Sequence, residues 1–221
     1  MRLNRYLIER IESLNYLPPS EIANTFKKDC SKYIKLLSGK RPMFKGMESQ
    51  YLEPQNYTSK IYIGRKKVRK NRRPSGTQKW AFEFVNKWLD KKGWPRRDKS
   101  LILTSNEGWS DYFGNAYYVF PINTNYGYAW VEASDFNDSS PGKVDWDVGR
   151  FHNLVDNDED IVASDMLEEF VHGNKHFNTA YNREYETWMD CNYYYFLGFG
   201  LMKPEFKREF REAFKKIGVK L

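Results

Sequence analysis

Six short runs of branched and aromatic residues, "PMFKGM", "KIYIG", "SLILTS", "NAYYVFPI", "YGYAWVEA" and "EYETWMDCNYYYFLGF", are spread between residues 42 and 199. Residues of this kind favour extended chain, because their bulk at Cβ or in a ring packs well on a pleated surface. Helical patterns fall between these runs irregularly, with two helices before the first strand and another after the last. That order lacks the steady strand–helix alternation of a doubly wound parallel sheet. The chain also lacks a glycine-rich phosphate loop of the Walker or dinucleotide type. The pattern predicts an α+β domain built on a mixed or antiparallel sheet.

The helices are read from apolar spacing. "LNRYLIERIESL" places Leu3, Leu7, Ile8, Ile11 and Leu14 on one face, and Pro18 and Pro19 stop it. "SEIANTFKKDCSKYIKLLSG" reads as one helix capped by Ser20 and ended by Gly39. Further helices are expected after Thr77, at "EGWSDYFG", over "DIVASDMLEEFVHG" and over "KPEFKREFREAFKKIG", where Phe206, Phe210 and Phe214 recur every four residues. Residues 137–149, rich in Asp, Ser, Pro and Gly, read as loop. The expected organisation is a helical lead-in over 1–40, a core over 41–200 and a helix over 201–221 packed on that core.

With 40% hydrophobic and 17% aromatic residues, a chain of 221 residues can bury a sizeable core. No apolar stretch reaches the roughly 18–20 residues that span a bilayer. The charged start, "MRLNRYLIERIESLN", does not read as a signal peptide. Two cysteines and three histidines make a disulfide framework or a metal centre a poor expectation. The expected setting is a reducing cytoplasm without a membrane partner.

The net charge of +7 points to an anionic partner. Eight of the fourteen residues in "KIYIGRKKVRKNRR", residues 60–73, are basic. Arg65, Lys66, Lys67, Arg69, Arg72 and Arg73 read as a solvated face, as a nucleic-acid contact whose strength falls with salt, or as a phosphate grip.

Three features carry possible chemistry. In a strand, Glu184 and Glu186 share a face, and a carboxylate facing a sugar carbon stabilises an oxocarbenium-like state. The same spacing also describes an exposed strand end. Lys45 followed by Gly46 places a cation where a ligand can approach the backbone, and equally describes a surface turn. Thr104 and Ser105 end an apolar strand, where hydroxyls orient a ligand or cap the next helix.

In order along the chain, "PMFKGM", "SLILTSNEGWSDYFGNAYYVFPI" and "EYETWMDCNYYYF" resemble the mono-ADP-ribosyltransferase superfamily, the branch with an Arg, Ser-Thr-Ser, Glu-x-Glu pattern. The local wording, with "RKNRRPSGT", is most similar to small phage-encoded relatives. The resemblance spans about residues 41–196 and implies a split-sheet transferase core that uses NAD as a substrate and no metal. It implies catalytic roles for Glu186 and Glu184, with Ser105 as the hydroxyl that buttresses the acid. It implies NAD contacts from Lys45, Gly46, Thr104 and Tyr112, with Trp109 or Phe113 as further stacking rings. The implied acceptor is a macromolecule of the host cytoplasm, an arginine of a protein before a nucleic acid. A fold of the same kind that binds nucleic acid or an acidic protein without catalysis is the alternative.

Two departures stand out. Lys45 replaces an arginine and loses the two-pronged grip on phosphate. Leu103 replaces the first hydroxyl. The transferase reading requires residues near 45, 104 and 186 to converge on one cleft, and expects Glu186→Gln to abolish turnover with folding intact.

Overall fold

The computed structural model describes residues 12–14, 17–47, 63–72, 78–122, 127–136, 147–157, 159–199 and 202–221. Among them are two antiparallel sheets and eight helices. The first sheet has the order β1-β3-β9-β5-β2. Its strands are β1 (Glu12–Ser13), β2 (Phe44–Met47), β3 (Ile63–Lys67), β5 (Asn115–Ile122) and β9 (Tyr193–Leu197). The second sheet, β4-β8-β6-β7, is made of β4 (Leu101–Leu103), β6 (Tyr128–Val131), β7 (Val171–Gly173) and β8 (Thr187–Met189).

The buried apolar residues form two cores, one centred on each sheet, with Leu101, Leu103 and Met189 of the second sheet packing into the first core. Helices α1 (Pro19–Asp29), α2 (Ser31–Leu37) and α8 (Pro204–Lys216) cover the first. Phe26 of α1 anchors this layer. Its ring stacks on Tyr195 at 4.6 Å and meets Phe120 and Phe214 edge-on at 4.7 and 5.4 Å. Burying such a ring is worth roughly 1.5–3 kcal/mol. Helices α3 (Lys79–Lys91), α5 (Val148–Asp156) and α6 (Asp160–Phe170) cover the second sheet, packing on the fully buried Trp188. Two short helices, α4 (Glu107–Asp111) and α7 (Phe177–Asn182), complete the fold. No helix among the described residues is long and apolar enough to cross a membrane.

Among the described residues one isolated bridge joins the two sheets. Phe44 of β2 donates its N–H to the carbonyl of Thr104 at 2.6 Å, and Thr104 returns a bond to Phe44 at 3.1 Å. This bridge sets Lys45, one residue on, beside the end of β4.

Several elements depart from the sequence pattern. Glu12 and Ser13 form a strand against β3, so the first helix does not reach Leu14; residues 3–11 of that expectation lie outside the described residues. The second helix breaks at Cys30, whose φ of −119° leaves the helical region. It starts at Pro19, which suits a first turn because proline has no N–H to orphan, and Ser20 makes no cap. β2 runs through Gly46 without turning. The "VHG" end of the sixth helix becomes β7, and α5 begins where loop was expected. The longest aromatic run is two strands. β8 joins the second sheet and β9 the first, with Asp190 to Asn192 crossing between them. Thr77, the expected cap of α3, lies outside the described residues.

Candidate functional site

The junction of the two sheets leaves a pocket of about 480 Å³. β2 supplies Lys45 and Gly46, the chain after β3 supplies Arg69 and Arg72, and β4 ends in Leu103 and Thr104. α4 closes one side with Trp109 and Ser110, followed by Phe113. Arg97, Asp135 and Glu186 complete the wall. Positions 45, 104 and 186 do converge.

Glu186 is 4% exposed and accepts four hydrogen bonds. Arg97 Nε donates to Oε1 at 2.9 Å and Arg97 Nη2 to Oε2 at 3.4 Å. The indole Nε1 of Trp188 donates to Oε1, and the backbone N–H of Phe136 to Oε2 at 3.2 Å. Burial alone would raise this carboxyl. The positive charge of Arg97 and these donated bonds outweigh it and hold the group below the usual carboxylate range. The backbone is held too, since Glu186 N–H donates to the carbonyl of Ala133 at 2.8 Å.

Arg97, which the sequence did not mark, is itself buried and reaches Asp135 at 3.6 Å. Its loop is held by the neighbouring Arg96–Asp98 pair, 2.8 Å apart, and by Asp98 N–H on the amide oxygen of Asn86 at 3.1 Å. An arginine pair in "WPRRDKS" just before a strand was the one available signal. The pairing with Glu186 also corrects an expectation about folding. Glutamine at 186 would leave Arg97 buried with Asp135 as its remaining acid, so that variant is also a folding variant.

Glu184 does not share a face with Glu186. It precedes β8, at a left-handed φ of 62°, and is exposed outside the pocket wall. The turn that follows α7 forces that conformation, so the alternation of a strand does not yet apply. Its carboxylate is tied to α4. Asn106 Nδ2 donates to Glu184 Oε2 at 2.6 Å, while Asn106 Oδ1 caps the helix by accepting from Trp109 N–H at 2.8 Å.

The hydroxyls are spent on backbone. Thr104 Oγ1 donates to the carbonyl of Glu184 at 3.3 Å and accepts from Asn106 N–H at 3.1 Å. Ser105 donates to the carbonyl of Tyr181 and is not in the pocket wall, so it does not buttress Glu186. Gly46 is required by packing rather than by a ligand alone, since a Cβ there would lie 2.1 Å from the carbonyl oxygen of Ser110. Tyr112 is 78% exposed and stacks on Trp109 from outside, while Trp109 and Phe113 face the pocket.

The basic stretch divides. Arg69 and Arg72 enter the pocket, and Arg65 lies over the Tyr193 ring at 4.3 Å. Lys66 and Lys67 belong to β3, and Arg73 lies outside the described residues. Lys45, Arg69 and Arg72 have no ion-pair partner among the described residues, and the Ser110 hydroxyl and Arg72 Nε are buried without hydrogen bonds. Burial, with Arg72, Lys66 and Arg69 nearby, lowers the Lys45 ammonium from its ordinary 10.5 to about 7.

No protein-family model, curated protein or solved structure matches this chain.

Among the described residues no group of three or more His, Cys, Asp or Glu side chains is placed to hold a metal ion. The lining of the pocket thus combines a fixed carboxylate, Glu186, with the basic residues Lys45, Arg69 and Arg72 and the rings of Trp109 and Phe113.

Proposed function

We propose that this chain is an NAD-dependent mono-ADP-ribosyltransferase acting on an arginine of a host macromolecule, in the manner of small phage-encoded transferases. The observation that carries the reading is the convergence of Lys45, Thr104 and Glu186, from three separate strand ends, on one pocket that also takes in Arg69 and Arg72. Lys45 alone is a point charge. The two arginines beside it supply the planar fork that position 45 lacks.

In this reading the pyrophosphate lies against Lys45, Arg69 and Arg72, where the unpartnered Ser110 hydroxyl and Arg72 Nε gain acceptors. Trp109 and Phe113 flank the nicotinamide ring. The bond between the ribose anomeric carbon and the nicotinamide nitrogen breaks, and its electron pair leaves with neutral nicotinamide. Positive charge develops on the sugar, opposite the Glu186 carboxylate. A fixed charge that meets this state more strongly than the ground state lowers the barrier. A guanidinium nitrogen of the acceptor then bonds to the anomeric carbon and releases a proton. Glu184, held at the rim by Asn106, orients the acceptor and receives that proton.

A second reading rests on a different observation. Glu186 already accepts four hydrogen bonds from Arg97, Trp188 and Phe136, while Lys45, Arg69 and Arg72 have no ion-pair partner among the described residues, which favours a module that holds an anionic partner without turnover. Nicotinamide release from NAD separates the two. The transferase reading expects turnover by the wild-type chain and a loss on the order of 10²–10³-fold in Glu186→Gln, measured on protein shown by thermal unfolding to be folded. NAD left intact by folded wild-type protein, with salt-sensitive retention on nucleic acid, sinks the transferase and leaves the module.

A further inference from the structure

The carboxylate of Glu186 needs an orienting partner, and none of the three residues at the end of β4 provides it. Leu103 is apolar and 2% exposed. Thr104 and Ser105 donate to the carbonyls of Glu184 and Tyr181. The guanidinium of Arg97 instead meets both carboxylate oxygens, at 2.9 and 3.4 Å, from the loop that leads into β4. We propose that Arg97 is the positioning residue of Glu186, doing from the preceding loop what a hydroxyl at position 103 would do from the strand. The proposal rests on the transferase reading.

The fork is held from behind. Asp135 lies 3.6 Å from Arg97 Nη2, and the Phe136 ring sits 5.3 Å from the guanidinium carbon. A planar donor fixed in this way sets the plane of the carboxylate as well as its place. It also settles the charge. The groups that face Glu186 are Arg97 from the loop before β4, Lys45 from β2, Arg72 from the chain after β3, and Asp135 from the turn after β6. Of these Arg97 alone is hydrogen-bonded to the carboxylate, so removing its charge lets protonation of Glu186 begin at higher pH.

The test compares nicotinamide release by wild type, Arg97→Gln and Arg97→Lys between pH 5 and pH 8, with thermal unfolding as a check on folding. Wild-type kcat is expected to show no acid limb belonging to Glu186. Arg97→Gln is expected to lose about 100-fold in kcat, as for a reacting group displaced by about 1 Å, with KM within about threefold, and to gain a fall in kcat toward pH 5. Arg97→Lys keeps the charge and loses the fork. It is expected to lose kcat without gaining the acid limb, and it decides the matter if the glutamine variant does not fold. Folded variants with wild-type kcat and a wild-type pH profile overturn the role of Arg97 while leaving the transferase reading intact. A folded wild type that releases no nicotinamide overturns both.

Discussion

Two glutamates two residues apart in the chain, Glu186 in the pocket wall and Glu184 outside it, share almost nothing else. Glu186 is buried, receives four hydrogen bonds and faces a guanidinium. Glu184 is exposed, sits in a left-handed turn and is held by one amide. A buried charge whose partners are all protein groups is bound up with folding, because removing one member strands the other in low dielectric. An exposed charge keeps its water, so its removal costs the fold little. The pair is therefore one fixed interior charge and one exposed exterior charge.

The comparison breaks most readily at its interior member. Glu186→Gln is expected to lower the melting temperature as well as activity, since Arg97 then keeps Asp135 as its remaining acid; a melting temperature equal to wild type would mean the interior pair is not structural. Next in size is Gly46→Ala. The added Cβ would meet the Ser110 carbonyl at 2.1 Å and Phe113 Cβ at 2.8 Å, so α4 must move. Overpacking of this kind costs typically about 1–3 kcal/mol, to be read by chemical denaturation.

Lys45 sharpens the interior side through pH. Between about pH 7 and 10.5 the unfolded chain holds a proton on this lysine that the fold does not, so its contribution makes stability rise with pH in that window. Below about 7 both states are charged and the full cost of burying the charge applies. Lys45→Met is expected to raise the melting temperature more at pH 6 than at pH 10. Because a bound pyrophosphate favours the charged lysine, NAD affinity of the wild type should weaken as pH rises through about 7, by calorimetric titration; affinity flat across that range would remove Lys45 from the anion site.

The rim should respond least. Glu184→Gln is expected to leave melting and NAD hydrolysis within error of wild type and to slow transfer to an arginine acceptor by about 10-fold, the low end of general acid–base effects. A matching fall in hydrolysis would show that both glutamates act on the same step.

Much of this was legible before folding. The apolar period of α8 placed Phe210 and Phe214 in the core, although Phe206 of the same series is half exposed, and the six extended runs overlap every described strand except β1 and β7, which fall in segments read as helix. Lys45, Thr104 and Glu186 were marked together only by the resemblance in their order, since each alone also reads as a surface turn, a helix cap or an exposed strand end; the fold brings the three to one pocket. Ser105, Tyr112 and the shared face of the two glutamates were misplaced. Each depends on a backbone turn or a side-chain direction that spacing does not encode. Arg97 was missed for another reason, the arginine pair before β4 being too weak a signal. Its partner is 89 residues away, and nothing local sets apart an arginine aimed at a buried acid from one aimed at water.

The chain by itself determined most of the longer helical and extended segments and which residue types lie at their ends, because propensity and apolar period act over a few residues; the short strands β1 and β7 were not among them. Tertiary structure decided that the last aromatic run splits between two sheets, that the sheets meet at Phe44 and Thr104, and that the hollow beside this bridge pairs Arg97 with Glu186 while leaving Glu184 outside. Those outcomes rest on contacts between residues tens of positions apart, which form only when both layers have packed.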